Sequence, residues 1–257
     1  MKQGCVTRWL GGTAVLGLLL QLTACSSPAS APEQVGPDST PWAVLSAGNQ
    51  RTPGWQHYLF PSKSPSQFRY VQKDGRAAMA ANSVSSASML RQVMRVEPAE
   101  LADLRFSWKV PALIAHADMA LRDADDSPVR ILLMFEGDRS KFSSKNAMLS
   151  ELARALTGEE LPYATLMYVW CNTRAPGTVI VNPRTDRVRK LVVESGTGNL
   201  QQWIDYKRDI RKDYETAFGE APGALVGIGI MTDSDNTRTS TQAWYGPVTL
   251  GTVARVR

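Results

Sequence analysis

Hydrophobic and polar residues alternate along much of the chain with the period of two that a half-buried β-strand requires. The clearest case is Leu104–Val110, where Phe106 and Trp108 share one face with the apolar ends of the stretch. Residues 129–135 are nearly all apolar, which predicts a central strand buried on both faces. Asp74-Gly75 is typical of the two-residue turn of a β-hairpin. The pattern therefore predicts a mainly β protein.

Two segments have helical periodicity instead. Ser143 or Ser144 is a suitable N-cap for the first helix, and Gly158 follows its last apolar position as a stop. The second predicted helix runs from about Gln201 to Phe218, with an aromatic stripe at helical spacing. Both helices are expected on the surface of the β-structure.

Roughly a dozen short strands, with turn residues at regular intervals, favour a jelly-roll-like antiparallel β-sandwich of the lectin or galactose-binding-like kind. We predict that this domain, with its two surface helices, occupies residues 51–257. Residues 25–50 are rich in Ser, Pro, Ala and Gly and predict a flexible tether. Many unrelated activities use the same sandwich, so the fold alone assigns none.

The first 24 residues have the layout of a secretory signal peptide, with basic residues before the apolar core Leu10–Leu20. Leu22–Cys25 follows and resembles the lipobox of bacterial lipoproteins. That resemblance implies a lipid on Cys25 and a membrane anchor. Ser26 resembles a signal for sorting to the outer membrane, whose periplasmic face is the expected location; retention at the inner membrane is the alternative.

Composition is that of an ordinary globular protein, with 43% hydrophobic and 21% charged residues. The formal charge of +5 falls to about +3 without the signal peptide, and no basic motif accompanies it, so no nucleic-acid partner is expected. Besides Cys5 and Cys25 the sequence has only Cys171. A mature chain therefore cannot form a disulfide framework, and its stability must come from its core.

Several short motifs resemble, in the same order, those of the bacterial family called domain of unknown function 3047. They are Leu104–Val110, Tyr168–Trp170, Val192–Gly196, Asp213–Tyr214 with Ala217–Gly219, and Met231–Thr237 followed by Trp244–Gly246. The resemblance covers about residues 55–250 and implies the domain but no activity. The chain departs from the family pattern at Cys171 and Pro247, where an acid is common.

A ligand-binding site is predicted near the end of the chain. Asp233, Asp235 and Asn236 lie in a turn-rich loop, and Trp244 and Tyr245 follow on the next strand. Carboxylates, amides and aromatic rings are the groups that bind sugars, so these residues indicate a non-catalytic protein that binds a glycan or another envelope component.

Calcium is the cofactor considered, and no other is expected. Asp233, Asp235 and Thr237 have the spacing of the first oxygen ligands in a calcium loop, but Arg238 and Trp244 replace its required Gly and Glu. An EF-hand is excluded. A looser calcium site at Asp233 and Asp235 stays open beside a simple turn in which these side chains bind loop backbone.

The alternative function is a glycoside hydrolase. Glu136 and Asp138 follow the buried strand at 129–135 and distantly resemble the acid pair of some jelly-roll glycosidases, where two carboxylates flank the sugar bond. Lys141 stands where those enzymes have a third acid. The sequence leaves the ligand and the oligomeric state open.

Overall fold

The computed structural model describes residues 39–47 and 54–251. The predicted signal peptide, Cys25 and most of the predicted tether lie outside these residues. The helices of the described part are α1 (Pro41–Ala47), α2 (Ser144–Thr157) and α3 (Ile210–Phe218). None of them is long and apolar enough to cross a membrane.

The described residues also form thirteen β-strands. They are β1 (Gln56–Leu59), β2 (Gln67–Lys73), β3 (Arg76–Val84), β4 (Ser88–Val96), β5 (Asp103–Lys109), β6 (Ser127–Phe135), β7 (Ala164–Cys171), β8 (Val179–Val181), β9 (Val188–Ser195), β10 (Trp203–Asp209), β11 (Leu225–Asp233), β12 (Ser240–Tyr245) and β13 (Thr249–Leu250).

These strands make two sheets. The seven-stranded sheet has the order β1-β4-β11-β6-β7-β9-β8, and the six-stranded sheet has the order β10-β5-β12-β3-β2 with β13 beside β5. Neighbouring strands are antiparallel except β7 and β9, which are parallel. The mainly β sandwich predicted from the sequence is therefore confirmed.

The core lies between the two sheets. All nine residues of β6 are buried, which confirms the predicted central strand. The ring of Phe106 stacks on those of Tyr168 and Tyr206, with centroids 5.6 and 5.0 Å away. Each large apolar side chain removed from water in this way contributes roughly 1.5–3 kcal/mol.

The hairpin between β2 and β3 turns at the predicted dipeptide. Asp74 and Gly75 have φ values of 52° and 76°. Positive φ at both central positions belongs to a type I′ turn, whose twist matches that of the flanking strands.

The prediction of a helix over Gln201–Phe218 is wrong for the first half of that segment. Trp203–Asp209 is the strand β10, paired antiparallel with β5. Ile204 and Tyr206 face the core in alternation with exposed residues, so the same apolar spacing fits a strand as well as a helix. The Asp209 carboxylate accepts a hydrogen bond from the Lys212 backbone N–H at 3.0 Å, and the helix begins only after this cap.

Helix α2 has its predicted ends and its predicted place at the surface. Ser143 Oγ accepts a hydrogen bond from the Asn146 N–H, and Gly158 closes the helix with a φ of 78°. Two residues of its apolar stripe, Leu152 and Leu156, are 52% and 62% exposed. This part of the stripe is therefore not buried against the sandwich.

Helix α1 lies inside the segment predicted as a tether. Trp42 is fully buried, and its ring lies 5.0 Å from that of Trp55. Ser46 Oγ accepts a hydrogen bond from the Val248 N–H at 3.1 Å. The packed fold thus includes residues 41–47 as well as the predicted domain.

Candidate functional site

A groove of about 1280 Å³ lies on the outer face of the seven-stranded sheet. Alternation along β6 sends Ile131 and Leu133 into the core and Leu132 and Met134 to this outer face. The floor is a cluster of mostly methionine side chains. It consists of Met89, Leu132 and Met134, with Met167 and Met231 packed against them.

Two glycines on the central strand β11 make room for this floor. A Cβ atom on Gly227 would lie 3.2 Å from Met134 Sδ, and one on Gly229 would lie 3.4 Å from Met89 Sδ. Because neither glycine has a side chain, the methionines fill the middle of the sheet and the groove stays open above them.

The walls of the groove come from elements outside the sheet face. Helix α2 contributes three apolar side chains at helical spacing, Leu149, Leu152 and Leu156, and Tyr58 and Phe60 also line the groove. An ion pair links the sheet to the end of α2, because Arg91 of β4 contacts Glu159 just after α2 at 2.6 Å. The Arg91 guanidinium also lies 4.2 Å from the ring of Tyr58.

A buried ionic cluster adjoins the groove. It consists of Asp125, Asp126, Arg130, Lys190 and Asp233. Three of these residues, Asp125, Arg130 and Asp233, line the groove. Arg130 donates from Nε to Asp233 Oδ1 at 2.8 Å and from Nη2 to Asp233 Oδ2 at 2.9 Å. Lys190 Nζ donates to Asp125 Oδ2 at 2.6 Å. The cluster ties β6, β9 and β11 together at one edge of the groove.

Asp126 holds the loop that follows β11. Its carboxylate accepts hydrogen bonds from the backbone N–H and side-chain amide of Asn236, and from the N–H and hydroxyl of Thr237. Four protein donors thus bind the oxygens of this carboxylate. The loop predicted to satisfy its own backbone is therefore fixed by a residue far away in sequence.

The cluster has three acids and two bases, so full ionisation would leave a buried negative charge. Burial raises the pKa of Asp233 to about 7, although Arg130 opposes that rise. Burial also works to raise the pKa of Asp125, but Arg130 and Lys190 outweigh it and the pKa is lowered. The pKa of Lys190 falls to about 8 because burial disfavours the ammonium.

The structure brings three of the five predicted ligand residues to the groove. Asp233, Asp235 and Asn236 line it. Tyr245 is fully buried between the sheets, where its hydroxyl contacts Thr232 Oγ1 and donates to Met231 O. Trp244 lies on the six-stranded sheet under the Lys73 ammonium, 4.5 Å away. It alternates with inward-facing neighbours, so it points away from the groove.

Asp126, Asp233 and Asp235 have carboxylate oxygens within 4.8 Å of one another, a spacing compatible with a metal ion. Each carboxylate nevertheless has protein donors of its own. Asp126 holds the loop, Asp233 pairs with Arg130, and Asp235 pairs with Lys63. A cation would have to compete with these contacts, so the structure gives it no added support.

The two acids of the hydrolase alternative lie in different surroundings. Glu136 lines the groove and accepts a hydrogen bond from Arg95 Nη1 at 2.9 Å. Asp138 caps a short 3₁₀-helix by accepting hydrogen bonds from the N–H and hydroxyl of Ser140, which lower the pKa of its carboxyl. A lowered pKa suits a helix cap better than a proton donor.

The methionine floor and the leucine wall were missed from the sequence. Residues 129–135 read as a strand buried on both faces, which did not reveal that one face lines a groove. The available signal was methionine on outward strand positions, as at Met89, Met134, Met167 and Met231, because flexible methionines are common at adaptable apolar binding surfaces.

Comparison with known proteins gives a family match and a distant structural similarity. Residues 53–249 match the family model described as "Protein of unknown function (DUF3047)", which confirms the resemblance seen in the motifs. No curated protein sequence matches. The chain is similar to the xyloglucanase domain of NopAA, a type three effector from Sinorhizobium fredii, solved in complex with cellobiose. The identity is 9%, the TM-score is 0.40, and the alignment covers 79% of this chain and 95% of that one.

Proposed function

This chain belongs to the DUF3047 family, which has no known function, and we propose from its geometry that it is a non-catalytic binding protein of the bacterial cell envelope. Its ligand would be a glycan or another envelope component. The observation that supports this proposal is the groove on the seven-stranded sheet, whose volume of about 1280 Å³ exceeds the usual range for a small-molecule pocket.

Binding fits this groove better than chemistry because the glutamates that line it already have arginine partners. Glu136 pairs with Arg95, and Glu159 pairs with Arg91. A general acid or base needs a carboxyl with a tuned pKa that reaches a substrate proton. Carboxylates held by arginines serve more readily to shape a binding surface.

The position of Glu136 in the groove keeps the hydrolase alternative worth testing. In that alternative Glu136 and Asp138 act on a glycan laid along the sheet. It predicts that the ligand is cleaved, whereas a binding protein returns its ligand unchanged.

The proposed location is the periplasmic face of the outer membrane, with the lipid on Cys25 as the anchor. The lipobox-like Leu22–Cys25 and the following Ser26 support it. An anchored domain would meet both the lipids and the polymers of the envelope.

The proposal is tested by incubating the purified full-length protein with the polysaccharide fraction and the lipid fraction of the envelope, and identifying retained molecules by mass spectrometry. Gly229→Val places a side chain in the groove floor. Gly198→Val is the matched control, because Gly198 faces open space. We expect an unmodified molecule to be retained by the wild type and the control but lost from Gly229→Val.

Two results would contradict the proposal. Equal retention by wild type and Gly229→Val, with thermal unfolding showing both folded, would remove the groove as the binding site. Release of cleavage products that stops in Glu136→Gln would make the protein an enzyme instead.

A further inference from the structure

The chemistry of the groove narrows the class of ligand. Its floor offers thioether and aliphatic side chains, and the wall formed by α2 offers leucines at positions 149, 152 and 156. Methionine chains adapt to flexible apolar partners because they are unbranched and polarisable. The central surface of the groove therefore matches a hydrocarbon rather than a polar ligand.

The charged rim is largely neutralised by the protein itself. Of the cations that line the groove in the described part of the chain, each except Arg184 has a carboxylate partner. The pairs are Lys63–Asp235, Arg91–Glu159, Arg95–Glu136, Arg130–Asp233 and Arg139–Glu160. Among the described residues, no acceptor contacts the guanidinium of Arg184, which is exposed and lines the groove. In the part of the rim that the structure describes, Arg184 is therefore the cation left for an anionic group.

A glycan and an extended peptide fit this surface poorly. A sugar would bring hydroxyl groups over methionine and leucine side chains, where they would lose hydrogen bonds to water without replacement. A peptide strand would need a free sheet edge, but β4, β11, β6 and β7 each have neighbours on both sides. An acyl chain carries no polar group along its length, so it needs neither hydrogen-bond partners nor a free sheet edge.

We propose that the groove binds a long-chain fatty acid, with its acyl chain between the methionine floor and α2 and its carboxylate at Arg184. This assignment rests on the proposed binding function and specifies its ligand. It also explains why Leu152 and Leu156 are 52% and 62% exposed in the unliganded chain, because an acyl chain would cover them.

The test uses the full-length protein in bacterial membranes and a fatty acid that carries a photoreactive diazirine and an alkyne. The adducts that form only under ultraviolet light on the peptides containing Met89 and Met134 are counted. Label on Cys25 is excluded because it forms without light. Leu152→Gln with Leu156→Gln should lower the adduct yield roughly tenfold, since two apolar contacts are lost. The control Met148→Gln with Leu121→Gln should not change it, because both residues are equally exposed but lie outside the groove.

The carboxylate contact is tested by competition before irradiation. Palmitate should block labelling of the wild type better than hexadecanol does, and the two should compete equally in Arg184→Gln. Thermal unfolding of each variant shows that a loss of adducts does not come from a loss of fold.

Several outcomes would overturn the assignment. They are adducts spread equally over the exposed Leu59 and Leu121, adducts with the mass of a glycerophospholipid only, and unchanged labelling in the Leu152→Gln, Leu156→Gln variant. If a glycan is retained by the wild type and lost from Gly229→Val while no acyl adduct forms, the fatty-acid assignment fails and the binding function stands. If nothing is retained in either experiment, both fail.

Discussion

Arg130 is the central residue of the buried ionic cluster beside the groove. Its guanidinium is 3% exposed and contacts both Asp233 and Asp125. Removing it would leave the buried Asp233 without its arginine partner and Asp125 with the ion pair to Lys190, which is far more costly than losing a surface ion pair.

We therefore expect Arg130→Met to lower the free energy of unfolding by about 3–5 kcal/mol, as measured by urea denaturation. The matched control is Arg95→Met, which removes an exposed arginine that also pairs with two acids, Glu97 and Glu136. Solvent screens those pairs, so this variant should stay close to the wild type. Equal effects of the two substitutions would contradict the structural importance of the ionic cluster.

Asp233 should titrate far from its usual range. Because burial raises its pKa from 3.8 to about 7, the folded state holds this proton more tightly than the unfolded chain does. The stabilisation from the protonated form is complete below pH 3.8 and is lost as the pH rises to about 7. Carbon-detected NMR should find a carboxyl with a midpoint near 7, and Asp233→Asn should remove it.

Asp118 is an internal reference for this titration. Its hydrogen bonds to Arg174 lower the pKa of its carboxyl, so it should titrate below the usual range. If the spectra of the wild type contained no carboxyl with a midpoint above about 5.5, the proposed protonation of Asp233 would be wrong.

Single residues were predicted well where their partners are close in sequence. The turn at Asp74-Gly75 and the cap at Ser143 are local devices, and both occur as expected. The contact of Asp126 with Asn236 crosses from one loop to another. No local pattern encodes such a contact. The sequence therefore predicted the acidic loop that contains Asn236, but not the contact of that loop with Asp126.

At the scale of elements, the chain around Asp209 shows why strand and helix were confused. Trp203, Tyr206 and Ile210 satisfy helical spacing, yet Trp203–Asp209 pairs with β5 along its whole length. Tertiary pairing overrides a local pattern when an unpaired strand lies beside it. The Asp209 side chain then marks where the strand ends and α3 begins.

This junction gives a testable prediction. Asp209→Ala should lower the free energy of unfolding by about 1 kcal/mol, because it removes the N-cap of α3. Asp205→Ala is the control on the same strand; it removes only an exposed ion pair with Arg76 and should have little effect in the same urea titration. If a helix continued through both positions, the two variants would have equal free energies of unfolding.

At the scale of the whole molecule, two packed sheets followed from the strand pattern, but the groove did not. The alternation of Leu132 and Met134 with the core residues predicts two faces for β6. The groove also depends on where α2 and Glu159 lie relative to the sheet, and this involves contacts between distant residues such as Arg91 and Glu159. Contacts between residues that are far apart in the sequence leave no periodic pattern from which they could be predicted.

The proposed membrane anchor is tested separately. We expect Cys25→Ser to move the protein from the membrane fraction to the soluble periplasmic fraction, because the lipid can no longer be attached. Cys5→Ser, a change within the predicted signal peptide, should leave it in the membrane fraction. Quantitative immunoblotting of fractionated cells measures both, and full membrane association of Cys25→Ser would disprove the anchor.

The leucine stripe of α2 also has a consequence for solubility. With the groove empty, Leu152 and Leu156 are exposed beside the exposed Met148 on a single helix. Contiguous apolar surface of this kind promotes association between copies of a protein. The empty protein should therefore self-associate as its concentration rises, whereas a filled groove should keep it monodisperse. Whether the groove is filled would therefore determine whether the protein self-associates or stays monodisperse.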